Sequence, residues 1–155
     1  AEYYYSGRDE GKQKAPSEYA LDFIQMADFL YEEYACNVFY VYIDPSAKGL
    51  AEEIKRAAAD RIYQVSIKDA DNAVALGISR VQKCLTYHIL TVNPIQEKLI
   101  EEFGLYEYDK NLLDKGKEVP VKVKDHAMDA LRYLVMGLWS KLKYFLPAGE
   151  REDES

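Results

Sequence analysis

Carboxylates carry most of the chemistry this sequence offers. Asp44 closes an apolar, β-rich run (VFYVYI, residues 38–43) and opens Asp44-Pro45-Ser46. In open α/β sheets ligands bind beyond the carboxyl ends of parallel strands, so an acid there is placed to hold a divalent cation. The same three residues would also serve as a plain turn and helix cap. A second group is Lys124-Asp125-His126-Ala127-Met128-Asp129. Asp125 and Asp129 are four apart and His126 and Asp129 three apart, which puts each pair on neighbouring turns of one helix face. Asp125 would equally cap that helix, with Asp129 favoured near its positive end. Oxygen donors from a strand end and a packed helix suit Mg²⁺ or Mn²⁺. Two such ions, about 3.5–4 Å apart, activate a water and stabilise the leaving oxygen of a phosphodiester. The third feature is basic: Lys110, Lys115, Lys117, Lys122 and Lys124 lead into the second acidic group, offset within the stretch only by Asp114 and Glu118. A basic hairpin beside a metal site would hold a phosphate backbone. Lysines guarding an edge strand are the other reading.

Other chemistries lack their usual signatures. The sequence holds no GxxxxGK[ST], no GxGxxG and no GxSxG, so nucleotide hydrolysis, dinucleotide binding and α/β-hydrolase chemistry lose support. Two histidines, His88 and His126, and two cysteines, Cys36 and Cys84, are too few for a His-rich metal site, a zinc cluster or a disulfide scaffold. The net charge of -7 excludes nucleic-acid binding through overall charge, though not through a local patch. With 155 residues, 48% hydrophobic and 30% charged, one globular, intracellular domain with its own core is expected, with no membrane span and no signal peptide. The 14 tyrosines are expected to pack on sheet surfaces.

The elements that must position these groups alternate. Residues 1–5 read as a strand that begins abruptly, and 6–15 as a loop. Residues 16–34 read as a helix with Ser17 as cap and Ala20, Leu21, Ile24, Ala27 and Leu30 on one face. Residues 38–43 read as a central strand covered on both faces. A helix over 47–59, a weaker strand over 62–67 and a helix from Asp69 or Asp71 to Leu85 follow, the last with Val74, Ile78, Val81 and Leu85 as its stripe. Residues 88–92 read as a short strand, 95–103 as a helix ended by Gly104, and 105–108 with 119–123 as a hairpin. The last helix, 125–145, carries Ala127, Leu131, Leu134, Leu138, Leu142 and Phe145, with Asp129 at the border of that stripe. The pattern predicts an α/β fold with a partly parallel sheet over residues 1–147, and an acidic tail over 148–155.

DHAMDALRY (residues 125–133) resembles the closing motif of the nuclease domain of the large terminase subunit of tailed bacteriophages. YIDPSA (42–47) looks like that family's second catalytic strand, and residues 2–20 like its strand-loop-helix after the first. HILTVNP, the Glu-rich helix after it and LYEYD also fit, so the likeness runs over nearly all of the chain. The match is closest to terminases of phages of Gram-positive bacteria. The resemblance implies an RNase H-like fold, a mixed central β-sheet flanked by α-helices. It implies a metal-dependent endonuclease that cuts concatemeric viral DNA during packaging in the host cytoplasm, using Mn²⁺ or Mg²⁺. Asp44 would be the second acidic ligand and Asp129 the third, with Asp125 or His126 nearby. His126 would bind a metal or position a water or phosphate, or else only hydrogen-bond near the helix start. Lys115, Lys117, Lys122 and Lys124 would contact double-stranded DNA. The small subunit, the portal protein and an ATPase domain on the same polypeptide are the implied partners. The family's first catalytic Asp falls before Ala1, so the chain reads as a nuclease domain lacking its first strand. It is expected to be inactive or to bind metal weakly as given, since a missing carboxylate removes part of the cage that holds the ions, and Glu2 is a weaker candidate ligand. The alternatives are a non-catalytic docking module of the packaging motor and an RNase H-like resolvase.

Overall fold

The structure, a computed structural model, describes residues 2–61, 65–107, 114, 121 and 125–151. The chain forms two compact units, Ala1–Ala70 and Asp71–Ser155.

The first unit opens with irregular backbone over residues 2–6 rather than the expected strand. Helix α1 is Pro16–Tyr34. Proline lacks an N–H and suits the first helical position. The start therefore falls at Pro16, and Ser17 is not the cap. Glu18 does that work instead: its Oε2 accepts the Ala15 N–H at 2.8 Å. The helix ends where Ala35 turns left-handed at φ 52° and the Cys36 N–H returns to Leu30 O at 3.1 Å. Strand β1 (Tyr40–Ile43), helix α2 (Lys48–Ala58) and strand β2 (Ser66–Asp69) then form a βαβ unit. The strands are parallel, with Tyr40 opposite Ser66 and Ile43 opposite Asp69. The expected weaker strand thus lies further along the chain than residues 62–67, of which 62–64 fall outside the described residues. Ala20, Ile43 and Ile54 form the core, with Phe23, Val41, Leu50 and Ile67 packed against them. Ala20, Ile24 and Ala27 are the buried face of α1, as its periodicity predicts, but Leu21 of the expected face is exposed. The VFYVYI run is not covered on both faces: Phe39 is 64% and Tyr40 43% exposed.

The second unit is helical in its described parts: α3 (Val74–Thr86), α4 (Glu97–Leu105) and α5 (His126–Leu142), with 3₁₀ turns at Lys143–Phe145 and Ala148–Glu150. Gly104 lies inside α4 and does not end it. Residues 88–92 do not form a strand. His88 takes φ 54°, and the N–H groups of Ile89 and Leu90 both donate to Cys84 O, at 2.9 and 3.1 Å. The carbonyls at the end of α3 capture the chain in a turn, and Ile89, Leu90 and Val92 pack on the core from it. The expected hairpin lies mostly outside the described residues; within them, the Val121 N–H donates to Glu107 O at 2.9 Å. The core joins Val81, Cys84, Leu99, Met128, Leu131, Val135, Trp139 and Leu146. Gly77 lets α3 meet α5: a Cβ there would lie 2.5 Å from Arg132 Cγ and 2.7 Å from its Cδ.

The buried face of α5 is Met128, Leu131, Arg132, Val135, Met136 and Trp139, rotated from the expected stripe. Leu134 is 44% and Phe145 74% exposed. The face of α3 is likewise rotated, to Gly77, Arg80, Val81 and Cys84. Both faces admit arginines, which a stripe drawn from apolar residues alone passes over. Arg80 is buried with its guanidinium 4.7 Å from the Trp139 ring centroid. Nor are the tyrosines mainly sheet residues: of those described, only Tyr40 and Tyr42 lie on a strand, and none is fully buried. The described residues make a mostly helical α/β chain with a two-stranded parallel sheet. A mixed central sheet would need further strands, part of whose expected positions lie outside the described residues. No described helix is long and apolar enough to cross a membrane.

Candidate functional site

In the first unit, Asp44 leaves the carboxyl end of β1 half-buried. Its Oδ1 accepts from the Ser46 N–H at 2.8 Å and the Ser46 hydroxyl at 2.6 Å, and its carbonyl accepts from the Ala47 N–H at 2.8 Å. The turn reading is therefore realised, and it orients the carboxylate just past the strand. The register puts Asp69 opposite Ile43, so a second acid ends the neighbouring strand at the same sheet end. Sequence reasoning weighed Asp69 only as a helix cap, because the pairing partner of β1 is set by register and not by spacing. Glu2 is exposed on irregular backbone.

In the second unit, Asp125, His126 and Asp129 lie along the cap and first turn of α5, without their side chains converging. Asp125 occupies the cap position, but its side chain makes no cap hydrogen bond. Its carbonyl accepts the Asp129 N–H at 2.8 Å. His126 is exposed. The capping is done from another helix: Glu102 of α4, only 3% exposed, accepts the Ala127 and Met128 N–H groups on Oε2 at 2.7 and 3.0 Å. A buried carboxylate on the positive end of α5 satisfies two donors that the helix leaves without partners. Glu102 carried no signal in the sequence beyond its place in a Glu-rich helix.

Asp129 is tied to the core side of its own helix. Arg132 Nη2 donates to its Oδ1 at 2.7 Å, which leaves Oδ2 without a partner among the described residues. Burial alone would push the Arg132 guanidinium down, but the Asp129 hydrogen bond and charge, with Tyr133 and Tyr106, hold it above its usual value. The guanidinium therefore stays charged, and so does its hold on Asp129. Lys115, Lys117, Lys122 and Lys124 lie outside the described residues.

The chemistry of these donors fits a hard divalent cation, since Asp44, Asp69, Asp125 and Asp129 offer carboxylate oxygens. Their number is short of a closed cage: within either unit, among the described residues, no three His, Cys, Asp or Glu side chains converge. Mg²⁺ accepts one or two carboxylates with water and substrate phosphate completing its shell.

No family model matches the chain, and no curated protein matches it. Solved structures do. The large terminase of a thermophilic bacteriophage, in complex with ATP-gamma-S, superposes with a TM-score of 0.75 and 28% identity over 86% of this chain. The chain is similar to part of a phage large terminase. The same terminase in complex with ADP gives a TM-score of 0.72 at 28% identity over 86% of the chain. A further crystal form of it gives 0.72 at 28% over 86%. The chain spans about 31% of the length of that terminase.

Proposed function

We propose that this chain is the nuclease part of a phage large terminase, a metal-dependent endonuclease acting on concatemeric viral DNA. The observation that carries the reading is the likeness to the large terminase of the thermophilic phage, at a TM-score of 0.75 over 86% of the chain. The carboxylates support it. Asp44 and Asp129 would be the principal metal ligands, with Asp125, His126 and Glu2 as further candidates. Bound Mn²⁺ or Mg²⁺ would supply a water acidified enough to attack phosphorus and a charge to stabilise the leaving oxygen. The chain's own part is orientation. Ser46 fixes Asp44 Oδ1 by two hydrogen bonds, Arg132 fixes Asp129 Oδ1, and Glu102 holds the first turn of α5. Lys115, Lys117, Lys122 and Lys124 would neutralise DNA phosphates. The terminase small subunit, the portal protein and an ATPase domain would be its packaging partners. A second reading, a docking module of the packaging motor, is favoured by the net charge of -7, which suits a protein partner better than DNA. An RNase H-like resolvase would instead prefer branched over linear DNA.

The test is plasmid cleavage and Mn²⁺ binding by the chain, in Mn²⁺, in Mg²⁺ and in chelator, for the parent and for Asp44→Asn and Asp129→Asn. The nuclease reading expects Mn²⁺ binding that weakens in both variants, with folding unchanged, and cleavage only with metal. A form extended upstream by the family's first catalytic strand that is folded yet neither binds Mn²⁺ nor cuts DNA, or cleavage that both variants retain, overturns it and moves the docking reading ahead.

A further inference from the structure

The second unit contains a cavity of about 220 Å³ between α3, α4 and the start of α5. Its wall is largely apolar, with Ile78, Val81, Leu85, Phe103 and Met128. Its polar members are Gln82, Tyr106 and Arg132, and among the described residues no acidic side chain lines it. Arg132 is 4% exposed. One of its nitrogens is held by Asp129, while Nε and Nη1 are buried with no hydrogen-bond partner. A guanidinium carries five N–H donors in a rigid fork, and buried donors without acceptors are costly. The wall thus combines an apolar lining with unmet cationic donors.

We propose that this cavity binds a small aromatic carboxylate, with the ring against the apolar wall and the carboxylate on Arg132. The size is adequate: a dry apolar cavity of about 150 Å³ admits benzene, so one of about 220 Å³ has room for a ring and a short acidic arm. A long acyl chain is too large. A cation would face the like charge of the buried Arg132 guanidinium, with no acidic side chain among the described lining residues to offset it. A phosphate dianion would leave most of its oxygens against hydrocarbon. The site lies within the second unit and shares Arg132 with Asp129, but its test reads binding and not cleavage, so its failure is distinguishable from that of the nuclease reading.

The probe is 4-fluorophenylacetate, followed by fluorine NMR on the chain, with neutral 4-fluorotoluene as its matched partner. Binding is expected for the acid, displaced by benzoate, and about tenfold or more weaker for the neutral ring. Ile78→Phe, which fills the cavity while keeping Arg132 in the sequence, is expected to abolish it, and Arg132→Gln to reduce it to the level of the neutral ring. Equal binding of both rings, retention in Ile78→Phe, or no binding of the acid at millimolar concentration overturns the proposal. If Arg132→Gln does not fold, the comparison of acid with neutral ring in the parent decides.

Discussion

Replacing Glu102 by alanine is expected to destabilise the second unit strongly, although the residue lies on a different helix from every candidate ligand. Its Oε2 accepts two backbone N–H groups of α5, at 2.7 and 3.0 Å, in a buried setting. Losing an ordinary N-cap costs about 0.5–2 kcal/mol, and a charge-assisted bond is roughly twice as strong as a neutral one. One term opposes this: Oε1 is buried without a partner, so removing the carboxylate also removes an incompletely satisfied charge. The balance is a loss of about 2–4 kcal/mol. Glu102→Gln keeps one acceptor oxygen and loses the charge that complements the helix dipole, so it should cost about 1 kcal/mol. Urea denaturation of the three proteins measures the series, and amide exchange at Ala127 and Met128 locates it. At roughly 2–4 °C per kcal/mol for a chain of this size, the alanine variant should lower Tm by roughly 4–16 °C. If Glu102→Ala falls within about 0.5 kcal/mol of the parent, or exchange at those two amides is unchanged, the cap does not hold α5 and the reasoning fails.

Gly77→Ala should destabilise even though alanine is the better helix former. The propensity gain is about 0.5–1 kcal/mol, whereas a Cβ at 2.5 Å from Arg132 Cγ forces overpacking that costs about 1–3 kcal/mol. A stability equal to or above the parent in denaturant melts would refute that packing. The segment before α1 should loosen in acid. Burial raises the Asp22 carboxyl, but hydrogen bonds from Lys14, at 2.6 Å, and from Tyr3 outweigh it and hold the group below its ordinary value. Its folded pKa is the lower one, so its contribution is present above the ordinary carboxylate value near pH 4 and is lost as pH falls through the folded value. The same Asp22 hydrogen bond raises Lys14, whose contribution is complete below its ordinary value near pH 10.4 and fades only in strong base. Amide exchange over residues 2–15 against pH checks both, and Asp22→Asn should flatten the acid limb.

Much of the helical order was legible because it is local. The face of α1 follows from Ala20, Ile24 and Ala27 at helical spacing, and α2 from Leu50 and Ile54. Asp44 was placed after a strand by one apolar run and one proline. The rotation of α5 was not legible, since a stripe that includes Arg132 can be drawn only once Gly77 shows where the side chain lies. Residues 88–92 have strand composition, yet the carbonyl of Cys84 takes two of their N–H groups into a turn. Local hydrogen bonding to the open end of α3, five and six residues back, outweighed strand preference there.

Sequence by itself determined the residue types: oxygen donors on α5 and after β1, at spacings that share a helix face or end a strand. Those follow from covalent order and from helix and strand periodicity, which are short-range. Only the tertiary structure decided what each donor faces. Asp69 joins the sheet end of Asp44 through register, Asp129 is tied to a buried Arg132, and Glu102 reaches across from α4 to cap the helix that carries them. Such pairings depend on which surfaces exclude water together, and residues 25 positions apart, like Glu102 and Ala127, carry no mutual signal in their spacing.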